Sequence, residues 1–443
     1  MNIKQWSAMR IIAVGFAFII LAGGVLLSLP IASRNGVGMP FFNALFTSVS
    51  ATCVTGLVLY DTWTQFSGFG QTIILLLIQI GGLGFMAVAI FFSLVVGRRI
   101  GLRERSLLAE AVSVTKVGGL IRLVKRMLIG TALFEGVGAA LLAIRFVPQF
   151  GLGRGIWFSV FHSVSAFCNA GFDLMGAQTP SSSLTYFYND PLVILTIAVL
   201  IIVGGIGFVV WDDLVENRFR FLNLRLHTRV VLMSTFVLLV GGLLIFLLFE
   251  HGESFAGMRT QERILSAFFQ STTSRTAGFN TVDMAALSDG GKLITMILMF
   301  IGAAPGGTGG GIKITTLVVT ACVVMASLRN REEISVWHFR LEPEMMRRAF
   351  CSASVYLTMT ICGALVLCAQ GQPLTDAAFE CVSAIGTVGL STGITQTLPI
   401  LSRVVIMLLM YAGRIGSLTV FLAVARSNKG GKLKNPIGKI IVG

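Results

Sequence analysis

Residues 275–279 read Arg275-Thr276-Ala277-Gly278-Phe279, and the chain contains three counterparts of this stretch. They are Cys53-Val54-Thr55-Gly56-Leu57, Cys168-Asn169-Ala170-Gly171-Phe172 and Gly386-Thr387-Val388-Gly389-Leu390. The four glycines are 115, 107 and 111 residues apart, close to a quarter of the 443-residue chain. Ten residues before each lies a Phe: Phe46, Phe161, Phe268 and Phe379. Six before lies a hydroxyl, on Ser50, Ser165, Thr272 and Ser383, and one after lies Leu or Phe. Agreement in so many columns is an internal repeat, the first thing to seek in a long chain.

Outward from these stretches the chain is strongly apolar. Apolar residues make up 55% and charged residues 12%, against roughly 25% charged in a soluble domain. Mean hydropathy is +0.85. So few charges cannot cover several soluble domains, and the abundance of Phe, Leu, Ile and Val excludes disorder. Eight apolar runs, near 10–30, 68–97, 124–147, 190–211, 229–249, 292–328, 350–369 and 401–425, reach the ~20 residues a spanning helix needs. The first competes with a signal-peptide reading, but it is long for one and the repeat requires it as a span. Seven cysteines, without any CxxC pair, support neither a disulfide framework nor a zinc site.

Charge orients the spans. Alternate connections, with both termini, hold 24 Lys and Arg, and the others hold eight. By the positive-inside rule both termini are cytoplasmic, and the net charge of +14 is an orientation signal, with no nucleic acid implied. Every unit begins and ends inside, so the units are parallel, unlike inverted transporter repeats. A solenoid is excluded because each unit carries two spans. The expected fold is an all-α polytopic membrane protein of four parallel helix–pore-loop–helix repeats, with pseudo-fourfold symmetry around one central pore. The repeats are placed at 1–97, 98–215, 216–329 and 330–426, followed by a cytoplasmic tail, 427–443.

Between the paired spans lie short apolar segments such as 41–51 and 374–384, too short to cross. Non-helical backbone at membrane depth survives only inside protein or lining a wet cavity. A cation crossing lipid needs its hydration shell replaced, and rings of backbone carbonyls do this. Aiming those carbonyls needs dihedrals that Gly adopts cheaply. The candidate filter residues are Val54, Thr55 and Gly56; Asn169, Ala170 and Gly171; Thr276, Ala277 and Gly278; and Thr387, Val388 and Gly389. One such Gly alone reads as a helix terminator; four matched ones favour the filter.

The units differ in two places. The run 292–328 is too long for one straight span and contains Gly302-Ala303-Ala304-Pro305-Gly306-Gly307-Thr308-Gly309-Gly310-Gly311. Pro and clustered Gly break a helix there. The expectation is an intramembrane gate about halfway down, with Gly306, Gly307, Thr308, Gly309, Gly310 and Gly311 as its residues. Helix packing through Gly is the competing reading. A phosphate loop fails because Ile312 follows Gly311 where Lys is required. The second difference is Arg414, where units one and two have glycine-rich Gly81–Gly84 and Gly204–Gly207. A charge at membrane depth is functional by default. It is expected to bond the loop carbonyls or act as a barrier to cations, against a competing pairing with Glu135. Arg275 is expected to point away from the ion path and brace an outer acid such as Asp283 or Glu380. Asp61, Asp173 and Asp283 are expected either to concentrate cations or simply to be solvated. His162, His227, His251 and His338 show no ligand spacing and read as structural; Cys53 and Cys168 read as packing.

The four-unit plan, the run Ser274-Arg275-Thr276-Ala277-Gly278-Phe279-Asn280-Thr281-Val282-Asp283 and the Gly-rich break together resemble the Trk/Ktr/HKT superfamily of potassium transporters. Length and the ending Gly438-Lys439-Ile440-Ile441-Val442-Gly443 look most like its KtrB membrane subunits. The resemblance implies potassium uptake through a channel-like filter in a bacterial plasma membrane, with K⁺ as transported ion, Na⁺ as a candidate activator, and no cofactor in this chain. It implies a homodimer, one pore per protomer, docked on a cytosolic ring of nucleotide-binding RCK subunits (KtrA-like). Gly in all four stretches is similar to potassium-preferring members; sodium-selective plant relatives carry Ser where this chain has Gly56. Arg414 then takes both roles, loop bonding and barrier. No catalytic constellation is found, so the chain is not read as an enzyme. The alternative is an alternating-access secondary cation symporter, with Glu135, Lys313 and Arg414 as its midplane candidates.

Overall fold

The computed structural model describes residues 8–84, 120–331 and 333–416. The expected bounds of the first, second and fourth units, and the tail 427–443, fall partly or wholly outside these residues. Among them the first unit holds α1 (Ala8–Ser28), α2 (Phe41–Thr52) and α3 (Gly68–Leu83). The second holds α4 (Leu120–Phe150), α5 (Leu152–Phe167), α6 (Pro191–Gly205) and α7 (Phe208–Glu216). The third holds α8 (Leu226–Phe249), α9 (Thr260–Thr273), α10 (Asp289–Phe300) and α11 (Ile314–Leu328). The fourth holds α12 (Pro343–Ala369), α13 (Leu374–Gly386) and α14 (Ile400–Ile415). The described strands form one small hairpin, Ser335–Val336 with Phe339–Arg340.

The opening helix of each unit, α1, α4, α8 and α12, is long and apolar enough to cross a membrane. These helices leave Phe18, Leu133, Phe236, Leu248 and Leu365 exposed, as lipid-facing surfaces allow. The short helices α2, α5, α9 and α13 have 12, 16, 14 and 13 residues and are buried along much of their length. Each folds back against the long helix before it.

The closing helices are shorter than the apolar runs suggest. Runs 68–97, 190–211 and 401–425 are not unbroken helices: α3, α6 and α14 end at Leu83, Gly205 and Ile415. Beyond each lies a Gly with left-handed φ: Gly84 at 81°, Gly207 at 93° and Gly416 at 93°. After α6 the chain resumes as α7, bent by 90°. Close packing is the reason. Gly81, Gly204 and Gly413 lie against the carbonyl oxygens of Thr52, Phe167 and Ile385, at the ends of the short helices, where a Cβ would collide. Hydropathy counts such residues as apolar and continues the span through them.

The third unit is also offset. Phe46, Phe161 and Phe379 are fully buried, and in the third unit Phe269, not Phe268, matches them. Ser165 Oγ donates to Phe172 O at 2.7 Å, and the third-unit equivalent is Thr273, donating to Phe279 O at 2.5 Å, not Thr272. Thr272 instead bonds Phe268 O on its own helix. The third unit is therefore one residue shorter between short helix and Gly, which an ungapped alignment on the Gly misassigns.

The last unit packs on the first. Tyr411 Oη donates to Ala13 O at 2.6 Å, and Arg403 Nη1 donates to Asn43 Oδ1 at 3.2 Å.

Candidate functional site

The stretches after the short helices share an unusual backbone. Val54, Asn169, Thr276 and Thr387, two residues before each Gly, have φ of 57°, 59°, 67° and 50°. Gly56, Gly171, Gly278 and Gly389 have φ of 95°, 68°, 83° and 95°. A β-branched residue in the left-handed region costs of order 1–3 kcal/mol and persists where its surroundings enforce it. Three of the four preceding residues are β-branched. One carbonyl of each stretch, that of the residue before the glycine, lies close to the neighbouring stretch.

The four glycines form a closed ring. A Cβ on Gly56 would lie 2.6 Å from Ala170 O, one on Gly171 would lie 2.8 Å from Ala277 O, and one on Gly278 would lie 2.5 Å from Val388 O. A Cβ on Gly389 would collide with Thr55 O, completing the circuit. Each glycine thus gives room to the carbonyl of the next stretch, in chain order. Ser50 Oγ and Ser383 Oγ accept from Gly56 N and Gly389 N, each at 3.1 Å, tying the first and fourth stretches to their short helices.

All four glycines line a cavity of ≈ 200 Å³ whose walls include Asp61, Asp173, Asp283, Ser391 and Gln396. Asp61 accepts from Thr64 N and Ser181 N at 2.8 and 3.0 Å, and Asp173 from Met175 N at 2.9 Å. Burial, then the neighbouring Asp61 carboxylate, pushes the Asp173 carboxyl up to about 7.

On the other side of the ring lies the loop of the third unit. Its backbone is satisfied by neighbouring units: Ala304 N donates to Gly205 O at 3.0 Å, Thr308 N to Gly204 O at 3.2 Å, and Phe208 N to Gly306 O at 3.0 Å. Thr308 Oγ1 donates to Phe167 O at 3.1 Å, and Gly310 N donates to Thr387 Oγ1 at 3.0 Å. Gly309 packs against Thr276, Gly307 against Gly205, and Gly311 against Gly302 and Gly386. The loop therefore touches the residues two before the ring glycines in units two, three and four. Arg414 donates to Thr308 O and Gly81 O, and to Gly82 O at 3.1 Å. Lys313 Nζ donates to Gly309 O at 2.8 Å.

Two readings of charged residues do not hold, one a competing alternative and one an expectation. Glu135 does not pair with Arg414; it accepts from Gln79 Nε2 at 3.2 Å. Arg275 is buried with its Nε unpartnered, beside Asn169, Thr235 and Thr272. Among the described residues it forms no ion pair with Asp283 or Glu380. Asp283 accepts from Ala285 N at 2.9 Å, and Glu380 accepts from Ser391 and Thr395. Nothing in the residue pattern singles out one outer acid as its partner or says which way the side chain turns. Sequence reasoning also missed the hydrogen bonds of Gln79, His162 and Glu250; Gln79 is a lone polar residue in an apolar stretch, and the other two stand among ordinary loop and helix polar residues.

The sequence profile of the TrkH cation transport proteins matches residues 10–433. The chain belongs to the TrkH family. This TrkH-family chain is 38% identical to the potassium/sodium uptake protein NtpJ of Enterococcus hirae, over 99% of the chain and 98% of the relative. It is 38% identical to the Ktr system potassium uptake protein B of Bacillus subtilis, over 99% and 97%. The crystal structure of the potassium transporter TrkH from Vibrio parahaemolyticus has the same fold, with a TM-score of 0.74 and 17% identity, covering 96% of this chain and 86% of that one. The chain is thus a multi-pass helical membrane protein of the Trk/Ktr/HKT superfamily.

Proposed function

We propose that this chain is the membrane subunit of a potassium uptake system and passes K⁺ through a channel-like filter. Four parallel repeats surround one pore, and the carbonyls around Gly56, Gly171, Gly278 and Gly389 replace the hydration shell of the ion. The observation that carries this reading is the closed ring of four glycines at the floor of a cavity edged by carboxylates. Carbonyl rings of this kind serve cation filters elsewhere. Val54, Thr55, Asn169, Ala170, Thr276, Ala277, Thr387 and Val388 complete the filter stretches.

Below the filter, the loop from Gly306 to Gly311 acts as the gate and Arg414 as an electrostatic barrier at its edge. Its hydrogen bonds to the second and fourth units support a loop held closed by breakable contacts. Both termini face the cytoplasm of a bacterial cell. The name of the Bacillus subtilis relative, a Ktr system protein, supports further components. The partners are a second copy of this chain and a cytosolic nucleotide-binding RCK ring. The name of the Enterococcus relative includes sodium, which supports Na⁺ as a second ion that stimulates or shares the path.

The test is ⁸⁶Rb⁺ uptake into liposomes holding the purified chain, with K⁺, Na⁺ or Li⁺ as competitors. Uptake displaced by K⁺ well before Na⁺ is expected. Equal displacement by all three would overturn the reading. A unitary current above ~10⁴ ions per second would separate a pore from an alternating-access symporter, whose cycle runs on the μs–ms scale.

A further inference from the structure

We propose that His162 and Glu380 are positioning residues for ion selection: from opposite short helices, each holds the extended stretch that follows its own filter glycine. The proposal rests on the filter reading above. Both residues stand at one register, nine residues before Gly171 and Gly389. Both are fully buried. In the ring order Gly56, Gly171, Gly278, Gly389, their units face one another across the axis.

The two anchors use different chemistry. Leu174 N, three residues beyond Gly171, lies 3.3 Å from His162 Nε2. A backbone N–H can only donate, so Nε2 is the acceptor. The proton is then on Nδ1, which donates to Phe158 O at 2.7 Å. Neutral imidazole offers one donor and one acceptor, and both are used. Phe146 and Phe279 rings, 5.5 and 6.3 Å away, pack around it. On the opposite side, Glu380 Oε2 accepts from Ser391 Oγ at 2.9 Å, and Oε1 accepts from Thr395 Oγ1. Ser391 Oγ in turn accepts from Gly393 N at 3.0 Å. Ser391 and Thr395 belong to the wall of the outer cavity.

The remaining units are held more weakly at this register. Thr47 Oγ1 stays on its own helix, 3.3 Å from Asn43 O. With the one-residue offset, Gln270 is the third-unit counterpart, and its Nε2 meets Met284 Sδ at 3.4 Å, a weak acceptor. Over the cavity, Gln396 Nε2 donates to Ser181 Oγ at 3.1 Å, joining the loops of the same two opposed units. The mouth thus carries a tie along this diagonal, beside ties between adjacent units from Ser181 N to Asp61 and from Asn280 N to Ser183 Oγ. Discrimination by carbonyls depends on the number and stiffness of the ligands around the ion. Loosening this diagonal degrades discrimination before it degrades throughput.

The experiment uses the full chain in liposomes, measuring ⁸⁶Rb⁺ uptake against K⁺ and Na⁺. Glu380→Ala and His162→Phe are expected to lower K⁺-over-Na⁺ discrimination about tenfold, the scale of one buried hydrogen bond lost, with maximal uptake within about twofold. Glu380→Gln and His162→Gln keep an acceptor and are expected to restore discrimination to within about twofold. If Glu380→Ala does not fold, the pair Ser391→Ala with Thr395→Val removes the same contacts from the loop side and is expected to reproduce the loss. Unchanged discrimination in Glu380→Ala or in that pair, or equal loss in Glu380→Gln, would overturn the proposal. Absence of Rb⁺ uptake by the unsubstituted chain would instead overturn the filter reading.

Discussion

Arg414 Nη2, at the end of the fourth unit, lies 3.1 Å from the carbonyl oxygen of Gly82 in the first. The same guanidinium donates to Thr308 O in the third unit. One side chain thus spans three units just below the ring of glycines. Arg keeps its charge and has five donors in a rigid fork, so one side chain serves carbonyls of α3 and of the third-unit loop together. Replacing it with Ala removes this tie and, on the function proposed above, a barrier to cations as well. Arg414→Ala is expected to raise K⁺ uptake several-fold in liposomes and to leave the chain less stable by a few kcal/mol, because buried carbonyls lose charge-assisted partners. Unchanged flux and gating would remove Arg414 from the gate.

The loop itself is tested by substitution at its tightest point. Gly309 packs directly on Thr276, where a Cβ would collide with the hydroxyl. Gly309→Ala is expected to displace the loop and increase basal uptake. Replacing 302–311 by an unbroken Ala/Leu helix is expected to change flux and its regulation together. Flux indistinguishable from that of the parent chain in both variants would leave the loop as packing.

Gly56 offers a direct test of the proposed filter. At φ 95°, with Ala170 O 2.6 Å from where a Cβ would stand, Gly56→Ser strains its own backbone and pushes the second stretch. Relative Na⁺ passage is expected to rise about tenfold or more, roughly the effect of 1.4 kcal/mol. Competition of Na⁺ against ⁸⁶Rb⁺ uptake measures it. Selectivity equal to that of the parent would count against the filter assignment.

The outer mouth carries a pH dependence. Asp173 sits half-buried beside Asp61, and its carboxyl is pushed up to about 7. The unfolded value is about 3.9. A raised carboxyl keeps its proton in the folded state while the unfolded chain has lost it. Its contribution to stability is therefore present below about pH 4 and lost as the pH rises towards 7. Function runs the other way: above pH 7 the mouth gains a negative charge. Uptake at limiting K⁺ is expected to rise modestly, about two- to threefold, between pH 6 and 8, by local concentration of cations. Asp173→Asn is expected to flatten that rise. A profile that keeps its slope in Asp173→Asn would assign the titration to another group.

The four glycine stretches were legible because their defining column is backbone chemistry. A left-handed φ beside a neighbour's carbonyl leaves Gly as the residue that fits, so Gly56, Gly171, Gly278 and Gly389 stand out at a regular period. The long opening helices were legible from apolar length, and the break at Pro305 from helix chemistry. Less legible was anything set by how one side chain turns. Arg275 was matched to an outer acid, and it is instead buried beside a small cavity that Asn169 and Thr235 also line. The offset of the third unit was hidden because both Phe268 and Phe269, and both Thr272 and Thr273, fit the columns. The ends of α3, α6 and α14 were hidden because glycines that admit a neighbouring carbonyl look apolar in a hydropathy sum. His162 reads as an isolated core residue until Leu174 N is seen against its ring.

The contact of Tyr411 with Ala13 has a consequence for the connectivity of the molecule. Spatial order follows chain order, and the last unit abuts the first, so the arrangement is cyclic although the polypeptide is linear. The peptide links between units then carry little of the geometric information. Severing one and rejoining the chain elsewhere preserves every neighbour relation, whereas exchanging two adjacent units does not. Around the ring, each glycine stretch is shaped to the one that follows it, and the fourth to the first.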